Sequence, residues 1–347
     1  MTTVEPYPIT AKSDGTWKAM QMLGSRNRWA GSSSTAVIKI SFASRLLTSF
    51  SAVLFSCVSS VFLVHLRLAG NLAGYGWEGG KIEKTKSFQI QKYDDGSCQI
   101  DFLELIEEEP LLVRVDNRPY SVVMRTPGNE VAHAVGLCLG EGILGSPDDF
   151  RTLGYDENLD PNVVDVWLTP GRREKVVDIL KRKIYTSQTS CGICGKQMAR
   201  DLRKELRPAP NGFTLGGRQV LECVDQLFER QSIYPRTRGS HASVLFDKDL
   251  EVLAFAEDVG RHNALDKVLG RAFLDRTLSR AALVVMSSRL SYELIQKSAR
   301  AGISMMVSKS RPTALAVEMA RDLNMTLACA FGKSHLMILC GEERIIR

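Results

Sequence analysis

Cysteine is scarce, with 8 in 347 residues. That density excludes a secreted scaffold stapled by disulfides, and the length excludes a mini-protein. Low-complexity composition is missing as well. With 44% apolar and 24% charged residues, the chain can bury a core and is not globally disordered. A surplus of one charge is absent from most of it. The formal net charge of +6 lies wholly in residues 1–86, which hold ten Lys and Arg against four Asp and Glu, while residues 87–347 hold 35 of each. The excess therefore points to no nucleic-acid partner for the folded part.

Long apolar runs are absent too, with one borderline exception. Residues 46–64 are uncharged and, at ~1.5 Å of rise each, approach the ~30 Å of a hydrocarbon core. Six of these 19 residues are Ser or Thr, so the hydropathy is marginal. The run starts too deep for an ordinary secretory signal, and no clear small-residue cleavage site follows it. Three readings stay open: a membrane tether or targeting element within 36–69, an extension with no folded role, or a buried helix. Residues 1–35 read as a disordered polar segment and 70–86 as a linker, so folding is expected from Phe88.

What is present is an ordered α/β pattern. Residues 97–105, 111–115 and 121–124 read as strands. A turn at 125–129 leads into a helix over 131–139, capped at Asn129 with Glu130 in its acidic first turn. A short strand at 165–168 and a basic amphipathic helix at 174–183 complete an α+β part over 88–185. A connector at 186–210 carries the only Cys-x-x-Cys. Residues 211–347 then form an α/β domain, with a helix at 220–230 and a hairpin of 241–246 with 252–256. Residues 281–286, 303–307 and 325–331 are apolar runs separated by helices. That order predicts a parallel sheet with right-handed crossovers.

Three constellations carry chemistry. Two strand ends open into hydroxyl-and-cation loops, 287–289 and 308–313, that run directly into helix N-termini. There Arg289, Ser308, Lys309, Arg311 and Thr313 suit a phosphate-bearing ligand. The stretch 257–267 packs two acids, Arg, His and Asn between a strand and a helix. Arg261 and His262 are expected to face a ligand, with Asp258 orienting one of them. His241 reads as a hydrogen-bonded structural histidine. Finally, Cys191-Gly-Ile-Cys194-Gly fits half a zinc site, a redox dithiol, a sulfur carrier or a structural turn. Spacing alone leaves these open. Cys57, Cys98, Cys138, Cys223, Cys329 and Cys340 lie in apolar segments and read as core fillers.

Taken in order, R-T-P-G (125–128), G-x-x-L-G-E-G-I-L (136–144), C-G-I-C-G (191–195), E-D-V-G-R-H-N-A-L-D-K (257–267), S-S-R-x-S-Y-E (287–293) and P-T-x-L-A-V-E (312–318) resemble the formate dehydrogenase accessory sulfurtransferases, the FdhD family. The resemblance covers about 88–347. It implies a cytidine-deaminase-like C-terminal α/β domain with a smaller N-terminal part. It also implies a function: sulfur accepted as a persulfide from a cysteine desulfurase and passed to the bis(molybdopterin guanine dinucleotide) molybdenum cofactor of formate dehydrogenase. That cofactor would be a bound substrate, with no metal held by the protein directly. Cys191 would carry the persulfide with Cys194 as its partner, and Phe331, Gly332, Lys333, Ser334, His335 and Leu336 would join the cofactor contacts. The implied setting is the cytoplasm. Homodimerisation fits the family but has no signature in the residues, and Glu141, Asp258 and His262 are candidate bases. Two departures stand out. Arg238 occupies a position where the family favours Gly, in Thr237-Arg238-Gly239-Ser240-His241-Ala242, and the 331–336 stretch is poorer in cations than usual.

Overall fold

Regular structure appears at two short strands inside the 1–35 segment that its composition marks as disordered, and then from Thr85, slightly before the expected Phe88. In the computed structural model the described residues are 9–11, 17–19, 83–156, 158–182, 206–332 and 334–346. Two short strands, β1 (Ile9–Ala11) and β2 (Trp17–Ala19), pair antiparallel. A long antiparallel ribbon follows, β3 (Thr85–Asp94) with β4 (Ser97–Ile106). Residues 36–69, the apolar run within them, and Cys57 lie outside the described residues. Among those described, no helix is long and apolar enough to cross a membrane.

A four-stranded sheet comes next, from β5 (Glu109–Val115), β6 (Arg118–Arg125), β7 (Phe150–Asp156) and β8 (Asp160–Leu168) in the order β6-β5-β8-β7. Its central pair, β5 and β8, is parallel and its outer pairs are antiparallel. Helix α1 (Glu130–Gly140) links β6 to β7, and α2 (Pro170–Arg182) follows β8. The expected cap at Asn129 is not formed. Asn129 sits in the left-handed region at φ 63°, without a side-chain cap. The Glu130 carboxylate instead accepts from the Gly128 N–H at 2.5 Å and pairs with Arg125 at 3.1 Å.

The C-terminal part is a six-stranded sheet in the order β11-β10-β12-β13-β14-β15. Strand β9 (Leu215–Gly216), α3 (Gly217–Arg230) and the one-turn α4 (Tyr234–Thr237) lead into β10 (His241–Asp247) and β11 (Val252–Asp258). Helix α5 (Arg261–Leu274) connects to β12 (Ala281–Met286), α6 (Tyr292–Arg300) to β13 (Met305–Ser308) and α7 (Ala314–Asp322) to β14 (Thr326–Phe331). Strands β12, β13 and β14 are parallel, as their apolar runs predict. The sheet as a whole is mixed, because the β10–β11 hairpin and β15 (His335–Cys340) add antiparallel edges. Alternate residues of the central strands enter two cores: Leu283, Val285, Met305 and Val307 lie with Val220, Val224 and Leu227 of α3, while Val284, Met286 and Met306 face the other way. Burial on both faces is why these strands read as continuous runs rather than alternating ones.

That second core also takes in α1 and residues of the four-stranded sheet, such as Leu111, Val113, Val164 and Val166. Its centre is the crossing of α1 with α5. A Cβ added at Gly136 would stand 1.8 Å from the Asp266 carbonyl oxygen, and one at Gly270 would stand 1.8 Å from that of Ala132. The two backbones therefore touch at reciprocal glycines, a contact no larger residue permits.

Candidate functional site

The carboxyl ends of β12, β13 and β14 lie side by side, with Met286 opposite Ser308 and Ser308 opposite Cys329. Their loops are laced together. The Lys309 N–H donates to the Met286 carbonyl at 3.2 Å and the Thr313 N–H to that of Leu290 at 3.0 Å. The Ser308 hydroxyl lies 2.6 Å from the Ser288 carbonyl oxygen and accepts the Ser310 N–H at 2.9 Å. Thr313 caps α7 by accepting the Ala316 N–H at 3.2 Å. Both hydroxyls are thus committed to loop geometry, and the charged donors of this edge are its cations.

Those cations are held by aromatic faces. The Lys309 ammonium sits 5.4 Å from the Phe228 ring centroid and donates to the Gly332 carbonyl at 2.8 Å. The Arg311 guanidinium stacks 5.7 Å from the centre of Phe331. Both contacts fix a charge against a ring while leaving donors for an anion. Arg289 is exposed on the neighbouring loop. Gly332, at φ 58°, makes the tight turn into β15, and Ser334 and His335 are exposed there, 3.3 Å from each other. Leu336 is half-buried against the core under α3. Lys333 lies outside the described residues. Burial pushes the Cys329 thiol beneath this edge up to about 11, against the opposing pull of Arg311.

A second cluster forms at the start of α5. His262 Nε2 lies 2.9 Å from the Glu293 carboxylate and 3.4 Å from the Ser291 hydroxyl. Hydrogen bonding to His262 is the main reason that the Glu293 carboxyl sits below its usual pKa. Arg261 has a buried Nε with no hydrogen-bond partner among the described residues. The expected hydrogen-bonded role for His241 is not met, since its ring makes none among the described residues. Burial and the Arg261 charge lower its pKa, opposed by Asp258. The loop from Ser287 to Glu293 carries the exposed Arg289 at one end and Ser291 and Glu293, the partners of His262, at the other.

Asp258 makes no hydrogen bond or ion pair with Arg261 or His262 among the described residues. It is fully buried and accepts from the Thr126 N–H (3.1 Å), the Gly260 N–H (2.8 Å) and Asn263 Nδ2 (2.8 Å), while pairing with Lys267 at 2.7 Å. Lys267 also donates to the Thr126 carbonyl at 2.7 Å, and Asn263 to that of Met124 at 2.7 Å. Burial lowers the Lys267 pKa despite Asp258. A carboxylate so fully engaged is no general base; it fastens the 125–128 turn to α5 and so sets where Arg261 and His262 point. Its neighbour Glu257 receives the N–H groups of Ser232, Ile233 and Tyr234 at 2.7, 2.8 and 3.0 Å. Burial opposes its charge, but these donors hold its carboxyl below the usual range.

Several expectations change. Arg238 keeps the left-handed backbone its Gly-favouring position demands, at φ 55°, and its guanidinium stacks on Tyr234 at 5.3 Å. Cys98 is exposed on the ribbon, whereas Cys138, Cys223, Cys329 and Cys340 are buried as expected. Cys191 and Cys194 lie outside the described residues. Sequence reasoning missed Phe228, and it gave no role to Thr126, Lys267 and Glu293, which lie inside the motifs at 125–128, 257–267 and 287–293. Glu293 had a further local signal, as an acid in the first turn of a helix that follows a strand end.

The model of the FdhD/NarQ family matches residues 106–346. The chain belongs to that family. Family relatives include the sulfur carrier protein FdhD of Streptomyces coelicolor, 38% identical over 280 residues, which span 77% of this chain and 96% of that protein. The protein of the same name from Mycobacterium tuberculosis is 38% identical over 253 residues, 70% of this chain and 91% of its own. Among solved structures, a putative formate dehydrogenase accessory protein from Desulfotalea psychrophila shares the fold, with a TM-score of 0.62 at 21% identity. That match covers 76% of this chain and 100% of the other.

Proposed function

We propose that the chain is a sulfur carrier for formate dehydrogenase maturation, taking sulfur from a cysteine desulfurase and delivering it to the bis(molybdopterin guanine dinucleotide) cofactor. The observation that carries the cofactor half of this reading is the pair of ring-backed cations, Lys309 and Arg311, at adjacent strand ends beside two helix N-termini. A doubly guanylated cofactor brings phosphates to such an edge. The family membership supports the carrier half, since its relatives bear the name of sulfur carriers. The six-stranded layer then takes the role of the cytidine-deaminase-like domain. Cys191 and Cys194 are assigned by their motif alone.

The chemistry balances as two exchanges. The Cys191 thiolate attacks the outer sulfur of the desulfurase persulfide, the S–S bond breaks, and the desulfurase thiolate leaves. On delivery, Cys194 attacks the inner sulfur of the Cys191 persulfide, and hydrosulfide departs to the bound cofactor. The resulting Cys191–Cys194 disulfide requires a dithiol reductant to reset. Around this exchange the described residues bind and orient: Lys309, Arg311 and Arg289 hold phosphates, and the His262–Glu293 pair offers a proton carrier at the same edge.

Two measurements test the reading. The full chain, incubated with a desulfurase and cysteine, should gain a persulfide by mass spectrometry that the Cys191→Ala/Cys194→Ala double variant cannot take up. A full sulfur load on that variant ends the carrier assignment. Arg311→Glu should weaken guanine-nucleotide binding roughly 10- to 150-fold, the value of a lost charge-assisted contact of ~1.5–3 kcal/mol. Unchanged affinity moves the site elsewhere.

A further inference from the structure

One wall of the strand-end edge is a single segment of chain, residues 228–238. It supplies Phe228, the ring behind Lys309, and Tyr234, whose ring centroid lies 5.3 Å from the Arg238 guanidinium. Glu257 pins this segment on either side of Arg238. Its carboxylate accepts the N–H groups of Ser232, Ile233 and Tyr234 and, past the turn, the Ser240 hydroxyl at 2.8 Å. Within the turn the Thr237 hydroxyl donates to the Ile233 carbonyl at 3.0 Å and accepts the Gly239 N–H at 3.2 Å. Arg238 itself is exposed, and among the described residues its guanidinium N–H groups meet no acceptor. Strand β10 begins just after it, at His241. The start of β10 lies beside the carboxyl end of β12, where Ala242 and Ser287 exchange two hydrogen bonds at 2.9 and 3.0 Å. The next strand is β13, whose following loop carries Lys309. The chain before β10 and the loop after β13 are thus two strand spacings apart, about 10 Å.

We propose that Arg238 reads the guanine base of the ligand whose phosphates lie against Lys309 and Arg311, an inference that rests on the proposed function. Three arguments select the base rather than a phosphate. The first is separation. Two strand spacings are too wide for one diphosphate to meet both cations, and they suit an extended nucleotide with phosphates at one end and base at the other. The second is shape. Stacking on Tyr234 fixes the plane of the guanidinium, whose paired N–H groups match the O6 and N7 acceptors of guanine and oppose the amino group of adenine. The third is preorganisation. The bonds to Glu257 set the turn before a ligand arrives, so little order has to be gained on binding. The contact is particular to this chain, because the family favours Gly at this position. The left-handed backbone at φ 55° is kept, and the side chain is added to it.

The experiment uses the full chain and titration calorimetry with GDP and ADP at one salt concentration. The wild type should bind GDP more tightly than ADP. Arg238→Gly suits the left-handed backbone and should keep the fold. It should lower GDP affinity roughly 5- to 150-fold, the worth of one bidentate contact to a base, and leave ADP affinity nearly unchanged. Arg238→Lys keeps the charge without the planar fork and should behave as Arg238→Gly does. Equal losses for GDP and ADP, or full rescue by Lys, make Arg238 a phosphate contact and overturn the proposal. So does a wild type indifferent to the base, or a GDP affinity that Arg238→Gly leaves unchanged. Arg311→Glu separates this failure from that of the underlying reading. If it weakens both nucleotides while Arg238→Gly weakens neither, the phosphate site stands and only the base reader falls. A wild-type chain that binds neither nucleotide overturns both.

Discussion

Gly270→Ala puts the reciprocal helix crossing to a direct test. Two effects oppose each other. Replacing Gly by Ala inside a helix is intrinsically favourable by about 1 kcal/mol. Against this, the new Cβ would lie 1.8 Å from the Ala132 carbonyl oxygen and 2.6 Å from the Gly136 nitrogen. Both obstacles are backbone, so no rotamer change relieves them, and α1 and α5 must separate by more than 1 Å. Overpacking of this kind costs about 1–3 kcal/mol, at the upper end here because whole helices move. The net expectation is a loss of about 2 kcal/mol, which for a fold of this size lowers Tm by about 4–8 °C. Gly171→Ala in α2, where an added Cβ meets nothing within 4 Å, isolates the propensity term and should leave Tm equal or slightly higher. Thermal melts followed by circular dichroism, with urea midpoints beside them, measure both. A Gly270→Ala chain as stable as the wild type would show that the crossing yields easily and that close approach is not what glycine provides there.

Two further predictions concern buried charge. Lys297 donates to both oxygens of Asp266, at 2.6 and 2.8 Å, and that carboxylate holds its ammonium above the usual pKa against the pull of burial. Lys297→Met alone should cost about 3–5 kcal/mol in urea unfolding, while Lys297→Met/Asp266→Leu should recover most of it; additive losses would refute the pairing. His133 is wholly buried, and burial, with Lys267, Lys297 and Arg125 adding to it, drives its pKa well below the ordinary value. The unfolded state therefore takes up a proton first as pH falls. Stability should be intact above pH ~6.5 and decline by about 1.4 kcal/mol per unit below it. His133→Leu should flatten that part of the stability–pH curve, and an unchanged slope assigns the proton to another group.

Most of the sheet was legible because burial on both faces writes itself as an unbroken apolar run, and the parallel order of β12, β13 and β14 follows from the helices between them. β7 was not, since Phe150–Asp156 mixes Arg, Thr and Gly and owes its pairing to β8 rather than to its own propensity. β3 was missed for a related reason: a ribbon wet on both sides imposes no strict alternation. The same ribbon explains Cys98. Its local pattern reads as a strand, but whether a strand is covered depends on what folds over it, and among the described residues nothing covers Cys98. Of the site, the cation loops and the residues of 257–267 were visible as composition, and the direction of their bonds was not. Asp258 looks like an orienter of its neighbours because they are adjacent in sequence; its real partners, Thr126 and Lys267, are selected by the docking of α1 on α5. Small residues at 132, 136 and 140 announce a close approach without naming the helix that makes it.

The bonds that fasten the turn at 125–128 to α5 also bear on when the site exists. They join residues 132, 139 and 141 positions apart, among the most expensive loops to close and the slowest to find. A nascent chain that has emerged only as far as the first sheet holds one half of this fastening, and the second half arrives long after it. The start of α5, with Arg261 and His262, acquires its orientation only when both halves meet. Cargo cannot be bound ahead of folding, and a chain released early has no partial site with which to sequester it.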